Sequence, residues 1–145
     1  MVDAATVFDL AETLGPRLRT IVMLAGFGSL RTGEILGLRR CDVDFLPGVV
    51  DVREEAQQII GRGRIVSDPK SEAGRRSVAT PKTVMVALDE HRRQFGQPAP
   101  DGVVLTAPRC GPLRRRELSQ GWRWPPSAPR RASTSMTFAI MRQPR

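Results

Sequence analysis

Arg31 is the first residue in this chain whose setting suggests chemistry. It stands within GFGSLRTGEILGLRRCDVDF, where one helical pattern ends and the next opens. A guanidinium beside a helix N-terminus, whose unsatisfied N–H groups and dipole favour anions, suits a phosphate. Taken alone, an arginine at a helix start is more often solvated or salt-bridged than functional. Other chemistries find few groups to use. The one histidine, His91, lies in DEHRR and is expected at a helix surface. One histidine and two distant cysteines, Cys41 and Cys110, cannot supply four ligands, so no metal or other cofactor is expected. The GRGR stretch at 61–64 lacks the lysine, serine and following helix of a P-loop and reads as a hairpin turn. The chain contains no tyrosine.

Charge is unevenly distributed around these groups. The 145 residues hold 23 Lys and Arg against 15 Asp and Glu, a net charge of +8. Up to Pro108 fourteen basic residues balance fourteen acidic ones, whereas 109–145 carries nine arginines and a single acid, Glu117. The net charge therefore belongs wholly to the last segment, which also holds Trp122, Trp124 and the run WPPSAPRRASTS. That run cannot be a helix interior, because its prolines lack N–H donors. An apolar share of 40% excludes wholesale disorder, and no stretch approaches the uncharged apolar length of a membrane span. No basic start leads into an apolar run, so no signal peptide is expected. With too few cysteines for a disulfide framework, the expected setting is reduced and cytoplasmic, nucleoid-associated if the protein is DNA-bound.

The elements that must hold Arg31 follow from capping and periodicity. Asp3 is placed to cap a helix carrying Val7, Leu10, Ala11 and Leu14 and closed by Gly15. Pro16 opens a second helix with Leu18, Ile21, Val22 and Ala25, ended by Gly26 and Gly28. Thr32 is expected to cap a short third helix holding Ile35, Leu36 and Leu38, with a turn at CDVDFLPG. GVVDVRE, QQIIGRGRIVSD and RRSVAT are β-branched runs that predict about three antiparallel strands. Thr80 and Pro81 then start a helix with Val84, Ala87, Leu88 and His91 on one face, and VVLTAP is a further extended piece. The class expected is α+β, mainly helical with a small three-stranded antiparallel sheet.

The segment GSLRTGEILGLRRCDVDF resembles the catalytic domain of the tyrosine recombinases, or phage integrases. Their first catalytic arginine sits in a T/S-G/S-L-R-x-x-E-L/I-L-x-L box followed by a D-[IV]-D turn. PKSEAGRRSVATP continues the resemblance with Lys70, Arg76 and Val78 in the family's order. The likeness runs from Val7 to Leu113. It implies that Arg31 binds the non-bridging oxygens of a scissile phosphate, a contact of a type worth ~3–4 kcal/mol in the transition state. It further implies that Lys70, on a β-turn, protonates the departing 5′ oxygen, that Glu34 is an ion-pair or cap partner, and that Arg75 and Arg76 face DNA. The implied activity is DNA integration and site-specific recombination. The implied partner is duplex DNA, with no small-molecule substrate and no membrane.

The family's H-x-x-R box and its tyrosine nucleophile are absent from this sequence. Covalent catalysis has no substitute for its nucleophile, so a catalytically inactive remnant is expected. The division expected is 1–113, a partial catalytic domain starting without the family's DNA-clamping N-terminal domain, and 114–145, a disordered Arg/Pro-rich tail. Read one nucleotide earlier, Met136–Thr137 must give GAC, an aspartate codon, and residues 134–140 admit HFHDLRH, which contains the family's H-D-L-R-H box. A frameshift near 121–124 is therefore expected in the gene. The alternative reading is a non-catalytic basic protein in which the tail and its tryptophans contact nucleic acid.

Overall fold

The computed structural model describes residues 3–59, 63–67, 74–108, 111–114 and 118. Helix α1 spans Ala4–Thr13, and the Asp3 carboxylate accepts the Thr6 N–H at 2.8 Å, as the cap signal predicts. Gly15 at φ +84°, a conformation that favours glycine, turns the chain into α2, Pro16–Gly28. Helix α2 passes through Gly26, expected as a stop, and ends where Ser29 adopts the left-handed conformation at φ 51°. Helix α3 covers Thr32–Gly37 with Arg31, not Thr32, as its N-cap. The reason is Glu34, whose carboxylate accepts the Arg31 N–H at 2.8 Å and so fixes the first turn one residue earlier.

A 3₁₀ turn at Arg40–Asp42 leads into β1 (Val43–Asp44), followed by β2 (Val49–Val52), β3 (Glu55–Ile59), β4 (Gly63–Ser67), β5 (Arg76–Ala79) and α4 (Lys82–Gln94). The expected three-stranded antiparallel sheet is present, in the order β1-β2-β5, with Val50 opposite both Val43 and Val78. Its membership differs from the expectation. QQIIGRGRIVSD is not one strand of that sheet but folds on itself as the β3–β4 hairpin, in keeping with the hairpin turn expected at GRGR, pairing Glu55 with Ser67 through to Ile59 with Gly63. Local pairing across so short a connection closes the smaller loop. The two residues of β1, read as part of a turn, supply the sheet's third strand.

Helix α4 starts one residue later than expected. Pro81 is its N-cap, and the Thr80 hydroxyl donates to the Val78 carbonyl rather than serving the helix. The expectation that His91 lies at the surface is overturned, for it is 3% exposed. Its charged neighbours in sequence misled, because helical spacing puts it with Val84, Ala87 and Leu88 on the buried face. The Phe95 ring lies 5.1 Å from the imidazole, centroid to centroid. Residues 103–107 run buried alongside, joined to the end of α3 by the Val104 N–H donating to the Leu38 carbonyl. Ile21, Leu24, Ile35, Val50, Val84, Leu88 and Leu105 form the core. Leu118, beyond the expected boundary at 113, is buried in that same core. Among the described residues no helix is long and apolar enough to cross a membrane.

Candidate functional site

The site grows from the junction of α2 and α3. Arg31 follows the left-handed Ser29 and caps α3 with an extended backbone, φ −75° and ψ 154°. Its side chain is exposed, and among the described residues no carboxylate forms a salt bridge with it. Most other arginines in the described part are engaged: Arg39 with Glu54 at 2.8 Å, Arg53 with Asp51 at 3.1 Å, Arg92 with Asp89 at 2.7 Å and Arg93 with Asp89 at 2.9 Å. Arg31 thus presents a full positive charge from a fixed backbone position.

Glu34 fixes that position. It is buried, and one carboxylate oxygen, Oε2, accepts both the Arg31 N–H at 2.8 Å and Arg76 Nη2 at 3.0 Å. Its other oxygen accepts Arg76 Nη1 at 2.8 Å, which completes a two-pronged ion pair. The hydrogen bond to Glu34 raises the pKa of Arg76 further above the ordinary arginine value, against the opposing effect of burial. Arg76 lies on β5, opposite Val52 of β2. The structure therefore brings Arg31 and Arg76 to one carboxylate. Arg75 is the exposed neighbour of Arg76. Lys70 lies outside the described residues. The ion pair between Glu34 and Arg76 spans 42 residues of chain, and no local sequence signal names a partner at that distance.

The opposite side of α3 rests on β3, and two glycines allow it. A Cβ on Gly33 would sit 2.6 Å from Glu55 Cγ and 3.1 Å from the Ala56 carbonyl oxygen. One on Gly37 would sit 3.0 Å from the Glu54 carbonyl oxygen and 3.2 Å from the Ala56 nitrogen. Alanine at either position should destabilise the protein in urea by ~1–2 kcal/mol, overcrowding outweighing the gain in helix propensity. At Gly33 the worst clash is with a flexible side chain, so adding Glu55→Ala should restore most of the loss. At Gly37 the clash is with backbone, and Glu55→Ala should restore none. Equal rescue at both positions would count against this close contact.

No family model matches the chain. A Mycobacterium tuberculosis protein named as a prophage phiRv2 integrase, found in strains CDC 1551 and H37Rv, is 30% identical over 87 residues. That match takes in 60% of this chain and 23% of the relative, so the chain spans only a part of the curated relatives it matches. Among solved structures, the Tn1549 transposon integrase in complex with circular intermediate DNA superposes with a TM-score of 0.71 and 17% identity, over 96% of this chain and 47% of that one. The XerA recombinase gives 0.61 and 16% identity, over 82% of this chain and 38% of that one. At those identities the structural likeness is one of fold. Likeness in sequence to a phage integrase over 60% of the chain, together with a fold shared with solved tyrosine recombinases, makes this chain similar to part of the catalytic domain of the tyrosine recombinase (phage integrase) family.

Proposed function

We propose that this chain grips duplex DNA at a phosphodiester through Arg31 and that, having no tyrosine, it does so without cutting. The observation that carries the reading is the exposed Arg31 guanidinium, without a salt bridge among the described residues and held by a backbone that a buried carboxylate immobilises. A backbone already fixed at the junction lowers the reorganisation needed when the guanidinium meets phosphate. Family kinship supports duplex DNA as the partner, as does the solved Tn1549 integrase, which holds DNA. In this reading Arg75 adds a phosphate contact, and Lys70 is the family's general acid. Integration and strand exchange are the family's activity, but the covalent 3′-phosphotyrosine step has no nucleophile in this sequence.

The test is binding to duplex DNA across a salt series together with a suicide-substrate assay. Wild-type chain should bind with an affinity that falls steeply with salt and form no covalent adduct. Arg31→Ala should weaken binding by ~3–10-fold and lower the salt slope by about 1. An adduct would overturn the inactive reading, and unchanged binding by Arg31→Ala would overturn the phosphate reading.

A second reading is favoured by one observation: the whole net charge of +8 lies in 109–145. There the arginines of the tail bind nucleic acid without sequence preference. Replacing Arg123, Arg130, Arg131, Arg142 and Arg145 by glutamine should then abolish binding, whereas under the first reading most of the affinity remains. Substitution is the right experiment because a deletion from 114 would also remove the buried Leu118. The coding DNA through the last codons tests the frameshift directly, and absence of a shifted HDLRH would dismiss it.

A further inference from the structure

Arg76 has a setting that its place in the sequence does not suggest. A strand arginine two residues before Val78 reads as a contact for phosphate. In the structure both of its terminal nitrogens are turned onto one carboxylate, with Nη1 to Glu34 Oε1 at 2.8 Å and Nη2 to Glu34 Oε2 at 3.0 Å. Glu34 Oε2 is also the acceptor of the Arg31 N–H at 2.8 Å. Nη2 reaches further toward the Ser29 carbonyl, at 3.5 Å. The Arg76 guanidinium thus touches both sides of the segment that carries Arg31: directly at Ser29, and through a shared oxygen at Arg31 itself. At its other end it is anchored in the sheet, since Arg76 pairs with Val52.

We propose that Arg76 is a positioning residue for Arg31, acting through Glu34 and not by touching DNA. The proposal rests on the reading of Arg31 as the phosphate contact. A planar guanidinium can engage both oxygens of a carboxylate at once and so set its rotation. Burial removes the solvent that would otherwise compete for those oxygens. The carboxylate, so oriented, holds the Arg31 N–H and with it the direction in which that side chain leaves the backbone. The chain of contacts runs from β2 to β5, to Arg76, to Glu34, to Arg31.

Electrostatic sign separates positioning from direct contact. Glu34→Gln removes a negative charge from beside a polyanion site, so charge alone would tighten DNA binding. Positioning gives the opposite result. Fluorescence anisotropy with a labelled duplex, in a salt series on the full chain, should show Glu34→Gln binding more weakly than wild type. The loss should approach the ~3–10-fold of Arg31→Ala, and Arg31→Ala combined with Glu34→Gln should be no weaker than Arg31→Ala alone. Arg76→Lys keeps the charge but cannot span both oxygens, so it too should weaken binding, with the salt slope unchanged. If Glu34→Gln fails to fold in a urea titration, Arg76→Lys reads the same link.

Tighter or unaltered binding by Glu34→Gln, or unaltered binding by Arg76→Lys, would overturn the proposal while leaving Arg31 as the phosphate contact. Losses that add to that of Arg31→Ala, with the salt slope of Arg76→Ala falling by about 1, would show Arg76 to be a phosphate ligand in its own right. Binding by Arg31→Ala that matches wild type would remove the phosphate reading and this proposal together.

Discussion

Arg76→Ala is expected to lower the stability of this protein by ~3 kcal/mol in urea at neutral pH, more than Glu34→Ala does. The asymmetry follows from burial. Removing Arg76 strands the Glu34 carboxylate, whose side chain is 4% exposed, and leaves it without its guanidinium partner though still accepting the Arg31 N–H. Removing Glu34 instead leaves a guanidinium that is 35% exposed and can turn to water, so ~2 kcal/mol is the expected loss. The two effects should not add, because either substitution breaks the same pair. A pair of apolar replacements, Glu34→Met with Arg76→Leu, should lose less than Arg76→Ala alone. Equal losses for the two single variants would show that water reaches Glu34 as freely as it reaches Arg76.

The second large effect is a loss of stability in acid that belongs to His91. Burial is the main reason its pKa falls from 6.5 to about 4. The nearby Arg17 guanidinium acts in the same direction. The Pro16 and Val104 carbonyls pull the other way without closing a hydrogen bond, since neither ring nitrogen has a partner among the described residues. Unfolded chain takes up a proton near pH 6.5, whereas the folded chain resists until about pH 4. Stability from this group is therefore complete above pH 6.5, falls as pH drops, and levels off below about pH 4. The interval corresponds to ~3 kcal/mol at ~1.4 kcal/mol per pH unit. Urea titrations of wild type and His91→Leu at pH 7.5 and pH 4 isolate it. The variant should match or exceed wild type at pH 7.5, because no hydrogen bond is lost, and should lose ~3 kcal/mol less than wild type on acidification. Parallel losses in both proteins would show that the imidazole titrates alike in folded and unfolded chain.

The parts of the fold that were legible in the sequence are those set by near neighbours. Asp3, Gly15 and Pro16 mark the ends of α1 and α2 because a cap is an interaction across three residues and Pro16 fixes its own φ. The buried face of α4 is legible from spacing, whereas the charges beside His91 point to the surface and that same spacing buries it. The sheet was legible in size and not in membership. GRGR marks the turn of the β3–β4 hairpin, but strand pairing is decided between distant segments, and nothing in the residues of QQIIGRGRIVSD says that its two arms stay out of the β1-β2-β5 sheet. Arg31 stood out through its helix junction. The family resemblance implies Glu34 as an ion-pair or cap partner, but with the cap expected at Thr32 the spacing does not point to Arg31, and the bond to Arg76 requires the third dimension.

Strands β3 and β4 hydrogen-bond to each other and share no ladder with β1, β2 and β5. The hairpin is therefore expected to open independently of the three-stranded sheet, which amide hydrogen exchange would show as weaker protection in β3 and β4 than in β2 and β5. A hairpin braced mainly against α3 can swing or fray as a lever while the three-stranded sheet stays closed, and local excursions of that kind cost less than global unfolding. Under the proposed reading of Arg31 as a phosphate contact, the hairpin could adapt to a bent duplex while the sheet that anchors Arg76 holds its place.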